Sequence, residues 1–263
     1  MCLILFAVQR SVEQPLVVAA NRDEFYARPT EAARFWGPSP RLLAGRDQQG
    51  GGTWLGVDAS GRFAAVTNVR SAEPRPAGLR SRGALPRDFL AGCTGPEGYL
   101  RQVAARAEEY AGFNLLVGDS ETLWYFSNRG EGPRQLEPGV YGVSNATLNV
   151  AWPKVLRGKA RLDEHLQRGG SMPSLLKLLR DGAPEGPPGV GRAPNLDRIE
   201  SCGFLVSADY GTRASTVVSF GRNGRVEFVE QGYGAWGVPG GTRRFVVTFR
   251  RSGVQHDNRP DAD

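Results

Sequence analysis

Two short stretches carry groups able to do covalent chemistry. Cys2 follows Met1, and Asn21-Arg22-Asp23-Glu24 follows an apolar run. Cellular aminopeptidases remove an initiator Met when the next residue is small, and Cys is small. Removal would leave a thiol and a free α-amine on one residue, a nucleophile with its own base. An α-amine titrates near ~7.7–8.0 and a thiol near ~8.5, so at neutral pH such an amine is poised to accept the thiol proton. The competing reading is a small apolar residue opening a buried strand, since free Cys is among the most buried types.

The elements around these residues must bring them together. Residues 2–8 and 16–20 are runs rich in Val, Ile, Leu and Ala, joined by the mostly polar stretch from Gln9 to Pro15. That is a hairpin pattern. The returning strand of such a hairpin ends beside Cys2, which delivers Asn21, Arg22, Asp23 and Glu24 to the thiol.

Histidine is scarce. His165 lies in a segment predicted to be an exposed helix, and His256 lies in a polar tail, residues 256–263. A Ser-His-Asp triad or a His-rich metal centre is therefore not expected. The three cysteines, Cys2, Cys93 and Cys202, show no disulfide framework and no zinc spacing, so no metal is assigned. A base for acyl transfer has to come from elsewhere, which favours the α-amine of Cys2.

The 263 residues are 40% hydrophobic and 23% charged, as in an ordinary globular protein, and a single domain over 1–255 is expected. No apolar run is long enough to span a membrane and no secretory leader is evident, so the expected location is the cytoplasm. The formal charge is +6; only Lys154, Lys159 and Lys177 are lysines, and the other 30 of the 33 basic residues are Arg. That skew reads as the coding bias of a GC-rich, bacterial genome. The arginines are scattered, with no clustered patch to suit nucleic acid, but the charge suits an acidic small molecule.

Along the chain, Pro- and Gly-rich loops lead to Gly50-Gly51-Gly52-Thr53-Trp54, read as a turn into a strand, with residues 62–68 as its return. As a phosphate cradle the glycine run is weak, because no Gly-Lys-Ser/Thr follows. Helices are expected at 81–92, 97–110, 153–167 and 173–180. Strands are expected at 113–119, 122–128, 140–145, 202–207, 214–220, 225–231 and 244–249, with a loop at 182–194. Strands and helices come in blocks, which points to α+β rather than alternating βαβ units. Two antiparallel sheets stacked face to face, with helices on both outer faces, would use all of these elements as a four-layer αββα sandwich.

Asn21-Arg22-Asp23-Glu24 with Phe25-Tyr26 resembles the NRDE family, also called the transport and Golgi organisation protein 2 family. Met1-Cys2-Leu3-Ile4, Phe35-Trp36-Gly37, Gly51-Gly52-Thr53-Trp54-Leu55-Gly56, Thr67-Asn68, Gly112-Phe113-Asn114-Leu115, Asn128-Arg129-Gly130, Tyr141-Gly142-Val143-Ser144-Asn145 and Tyr210-Gly211-Thr212-Arg213 also look like family motifs. The resemblance covers nearly the whole chain. The family is similar to the N-terminal-nucleophile hydrolases, which implies the same αββα core. Among these, the choloylglycine hydrolases carry an N-terminal Cys, an Arg and an Asp after the second strand, two Asn and a late Arg. By this likeness Cys2 is the nucleophile, and residues 21–24 stand where the Arg and Asp belong. Asn68 and Asn145 resemble the two Asn, and Arg213 the late Arg.

The resemblance then implies roles. Cys2 attacks a carbonyl, Asn68 and Asn145 offer N–H groups to the oxyanion, and Arg22 or Arg213 supplies positive charge that favours a thiolate. Asp23 or Glu24 orients the amine or the Arg; Asn21 stands in the family's Arg position in one register. Thr53 and Trp54, with Arg22 and Arg213, are expected to line a ligand pocket. The substrate class would be a non-peptide amide or a thioester, with no cofactor required. The alternative is a carrier that uses the same pocket for acyl-coenzyme A, lipid or haem, haem then being cargo. Partners would be small molecules, and the protein a monomer or homodimer.

Overall fold

The computed structural model describes residues 2–37, 42–71, 76–182 and 200–248. The chain opens with β1 (Cys2–Val8), β2 (Leu16–Phe25), β3 (Thr30–Trp36), β4 (Leu42–Asp47), β5 (Leu55–Asp58) and β6 (Phe63–Asn68). Helices α1 (Ala84–Ala91) and α2 (Pro96–Ala104) follow, then β7 (Phe113–Gly118), β8 (Leu123–Ser127), β9 (Arg134–Gln135) and β10 (Gly139–Val143). Helices α3 (Pro153–Gln167) and α4 (Met172–Leu178) precede β11 (Tyr210–Phe220), β12 (Arg225–Tyr233) and β13 (Pro239–Thr248).

The strands form two antiparallel sheets. One runs β10-β1-β2-β11-β12-β13 and the other β3-β4-β5-β6-β7-β8-β9. Side-chain alternation along the strands divides the apolar residues into three cores. Ile4, Phe6, Val8, Leu16, Val18 and Ala20 face Phe63, Ala65, Leu116 and Tyr125 of the opposite sheet. Leu3, Leu5, Ala7, Val17 and Ala19 point the other way, onto Val155, Leu162, Leu175 and Leu179 of the α3–α4 side. Ala64, Leu115 and Val117 meet Leu85, Phe89 and Leu100 of α1 and α2. These are the four layers expected, each sheet burying both faces. Fully buried rings such as Phe6, Phe63 and Phe220 each contribute about 1.5–3 kcal/mol of apolar burial.

Several expectations need correction. The stretch read as Pro- and Gly-rich loops contains β3 and β4. β3 is an edge strand, with Glu31 and Arg34 bonded to each other near the surface; one exposed face needs few apolar residues, which hid it. The apolar run 202–207 is not a strand. Phe204 and Val206 are buried against Tyr233, and the backbone is held by single bonds, Phe204 N–H to Asp181 O and Thr212 N–H to Leu205 O. Burial, not a ladder, accounts for its composition. His165 is half-buried rather than exposed, its Nδ1 at 3.2 Å from Ser174 Oγ. Residues 183–194 of the expected loop, Phe249 and the 256–263 tail lie outside the described residues. Among the described residues no helix is long and apolar enough to cross a membrane.

Candidate functional site

β1 and β2 pair in register from Val8↔Leu16 to Cys2↔Arg22. Direct partners share a face, and the even-numbered positions of both strands face the opposite sheet. Cys2, Arg22 and Glu24 therefore continue the inter-sheet core where it opens into a cavity of about 170 Å³. Its lining includes Cys2, Arg22, Asp23, Glu24, Trp54 and Asn68. Arg28, Asp47, Thr53 and Arg82 are also among the residues that line it.

The glycine run makes this geometry possible. Gly51 has φ +70°, and a Cβ on Gly52 would meet the Gly83 backbone at 2.2 Å. Only glycine permits that approach, which sets Thr53 N–H on Gly83 O at 3.0 Å and brings the start of α1 to the cavity. Thr53 itself is buried, its hydroxyl on Leu55 O. Trp54 carries the Arg22 guanidinium, with Cζ 4.4 Å from the ring centroid.

Arg22 is buried and belongs to a charged wall. Its Nη2 lies 3.9 Å from Glu24 Oε2, which in turn lies 3.7 Å from Arg28 Nε. Arg28 holds Asp47 with Nε and Nη2, the latter at 2.8 Å. Burial alone would raise the Asp47 carboxyl, but bonds from Arg28 and Gly50 outweigh it and hold it below the ordinary range.

Asp23 is buried on the other face, toward α3, and accepts Thr212 Oγ1–H at 2.7 Å. Burial pushes its carboxyl up, opposed by Lys154, Thr212 and Arg22. Asn21 shares that face and is committed to structure. Its Nδ2 donates to Leu179 O and Gly203 O at 2.7 Å each, and its Oδ1 accepts Ser215 Oγ–H at 2.6 Å. It does not line the cavity.

The two asparagines stand one behind the other. Asn68 lines the cavity, while Asn145 Nδ2 donates to Asn68 Oδ1 at 2.8 Å and to Asn68 O at 3.1 Å. The Asn145 amide is thereby engaged on Asn68. The Asn68 Nδ2 has no hydrogen-bond acceptor among the described residues and remains a donor for the cavity. Ser144 next to Asn145 donates to the Cys2 carbonyl at 2.7 Å, which fixes the strand end.

Arg213 sits at a bulge where β11 slips register between Thr212 and Ala214. The slip turns Thr212 to Asp23 and sends Arg213 toward the carbonyls of Phe25 and Arg28. Arg213 and Arg22 meet on Thr30 Oγ1, each at 3.3 Å, but Arg213 is outside the cavity lining. Burial and the Arg22 charge lower its basicity.

Sequence reasoning missed Arg28, Asp47, Ser144 and Lys154. Asp47 has a signal, a charge at a strand end directly before the glycine run. Lys154 has another, since it falls on the buried stripe of α3 with Gly158 and Leu162. Among the described residues, no group of His, Cys, Asp and Glu has the arrangement of a metal site.

A family model described as Transport and Golgi organisation 2 matches residues 1–235. The Bos taurus Transport and Golgi organization protein 2 homolog is 37% identical, the match covering 88% of this chain and 92% of that protein. The Homo sapiens homolog is 36% identical over the same shares. Among solved structures, the C2A mutant of the conjugated bile acid hydrolase from Clostridium perfringens superposes with a TM-score of 0.52 at 9% identity. That match covers 98% of this chain and 100% of the other, and it shows a shared fold. With the family pattern matched over most of its length, the chain belongs to the Transport and Golgi organisation 2 family.

Proposed function

We propose that this protein is an N-terminal cysteine amidohydrolase or acyl-transfer enzyme that acts on non-peptide amides or thioesters. The observation that carries the reading is the pairing of Cys2 opposite Arg22 at the mouth of the inter-sheet cavity, with the uncommitted Asn68 amide on the same cavity wall. The bile acid hydrolase named above was solved as its C2A mutant, and this chain also carries a cysteine at position 2.

Loss of Met1 frees the Cys2 α-amine. The amine takes the thiol proton as sulfur attacks the carbonyl carbon, and the new C–S bond leaves negative charge on oxygen. Asn68 Nδ2–H donates to that oxyanion, with Asn145 holding Asn68 in place. The α-ammonium returns its proton to the leaving nitrogen or sulfur as the C–N or C–S bond breaks. Water then hydrolyses the acyl-cysteine, the amine again serving as base. Arg22, fixed on Trp54, supplies positive charge beside the sulfur.

A second cavity of about 540 Å³ shares Asn68 and Arg82 with the first and includes Arg70 and Arg129 in its wall. It gives the rest of a substrate room and favours one with an acidic group. The same cavity is the observation that favours the other reading, a carrier that holds an acidic acyl ligand, such as acyl-coenzyme A, without turnover.

The test combines intact mass with acyl trapping. Mass should show Met1 absent. A thioester acyl donor should leave one acyl group on Cys2 that Cys2→Ser does not acquire as a thioester. Retained Met1 rules the reading out. Donor binding by wild type and Cys2→Ser alike, with no adduct and no product, leaves the carrier.

A further inference from the structure

Lys154 lies in the first turn of α3 and is 1% exposed. Among the described residues its Nζ has no hydrogen-bond partner and forms no ion pair. A lysine ammonium has three donors and is almost never fully buried unless paired. The nearest aromatic ring is Trp152, 5.6 Å away. Burial of this kind serves no packing need that an apolar residue would not meet better.

The helix is pressed onto the sheet at this point. A Cβ on Gly158 would meet the Leu5 side chain at 2.6 Å, and one on Gly142 would meet Val155 at 2.8 Å. Two glycines thus bring the first turns of α3 down onto the middle of β1 and onto β10. The negative charges that act on the Lys154 amine belong to Asp23 on β2, Cys2 on β1, and Cys202 and Glu200 in the segment before β11. On α3 itself, Arg157 is engaged with Asp181 and the Ser201 carbonyl. Tyr210 of β11 donates to the Asp23 carbonyl. Lys154 lines neither cavity, so it does not touch a substrate.

We propose that Lys154 is a positioning residue of the Cys2 centre, holding the positive charge that answers Asp23 so that the α-amine of Cys2 stays uncharged and free to act as base. The proposal rests on the reading of Cys2 as an N-terminal nucleophile. Once Met1 is gone, the buried end of β1–β2 holds two amines and one buried carboxylate, Asp23. One carboxylate compensates one ammonium in a low-dielectric interior, and a second ammonium alongside is disfavoured. Burial lowers the basicity of Lys154, and the charges of Asp23, then Cys2, act against that. Without Lys154, the Cys2 α-ammonium becomes the counter-ion of Asp23 and holds its proton to higher pH.

The test uses full-length protein grown with ¹³C-labelled cysteine. The Cα shift of Cys2 follows its amine and the Cβ shift its thiol, with Cys93 and Cys202 as internal comparisons. In the wild type the amine should titrate below the ordinary α-amine range of about 7.7–8.0. In Lys154→Met its midpoint should rise by about one pH unit or more. In Lys154→Arg, which keeps the charge, it should stay within about 0.3 unit of the wild type. A wild-type midpoint at or above the ordinary range overturns the proposal even if Lys154→Met does not fold. So do superimposed Lys154→Met and wild-type curves. A Cα that does not titrate because Met1 is retained sinks the reading of Cys2 and this inference with it. An amine that titrates identically in all three proteins sinks the role of Lys154 alone.

Discussion

The gap between the two sheets holds two polar clusters built on opposite plans. In one, Asn114 Nδ2 donates to Thr67 Oγ1 and to Ala146 O at 2.9 Å each, and Thr67 donates to Ser144 O at 2.7 Å. Tyr125 donates to Asn114 Oδ1 at 2.7 Å and accepts Leu148 N–H. Every polar group there is answered by protein. In the other, beside it, Cys2 and Asn68 open on the cavity with bonding capacity left over. Ser144 belongs to both, its carbonyl in the first cluster and its hydroxyl on Cys2. Burial and polarity are common to the two, so neither marks a site. Unused donors do, because a saturated network has nothing to offer a ligand.

That contrast can be broken in four places. Asn114→Ala takes the acceptor from the Tyr125 hydroxyl and a donor from the Ala146 carbonyl and the Thr67 hydroxyl, and should lower stability by about 3–5 kcal/mol in a urea titration, with several buried groups losing partners at once. A loss under about 1 kcal/mol would show that this cluster does not clamp the sheets. Asn68→Ala should do the reverse. Acylation of Cys2 should slow by about 10²–10³, worth about 2.7–4 kcal/mol, because an oxyanion donor is gone. Stability should move by less than about 1 kcal/mol, as expected for a group with an unused amide. Comparable damage to folding would place Asn68 with Asn114.

Asn145→Ala acts through Asn68, so acylation should fall about tenfold, or about 1.4 kcal/mol, and the Asn68→Ala variant should gain no further loss from it. Additive losses would mean that Asn145 meets the oxyanion itself. Asp47→Asn should cost about 1–2 kcal/mol of stability at neutral pH. The Asp47 carboxyl is held below its ordinary range, so its contribution is present above the unfolded-state value and is lost as pH falls through the folded one. Unfolding measured from neutral pH into acid should therefore lose less stability in the variant than in the wild type. The Asn114 cluster has no titrating group in that window and should leave the acid limb unchanged.

The layers were legible because both sheets bury both faces and the helices come in two blocks, which composition and periodicity record directly. The β1–β2 register was legible for the same reason, and with it the meeting of Cys2 and Arg22. The odd–even rule then turns Asn21 and Asp23 away from Arg22 and Glu24; Asp23 still borders the cavity, whereas Asn21 does not. What the sequence could not carry was the hydrogen-bond economy. Asn68, Asn114 and Asn145 are one residue type, and only their partners distinguish a donor for ligand, a clamp and a brace. β3 was hidden because an edge strand with charged residues outward lacks an apolar signature. The Lys154 signal was present, a cation on an apolar helical stripe.

The bulge at Arg213 has a consequence for how the family can vary in length. Beyond it, Val218 and Phe220 fill the space between the sheets while Val217 points to α3 and α4. Removing one residue at the bulge would swap these faces for the remainder of β11 or tear Thr212 from Asp23. Homologous chains should therefore gain or lose residues freely in the loops but hold a fixed count from Thr212 to Phe220, a spacing as constraining as any side chain in the cavity.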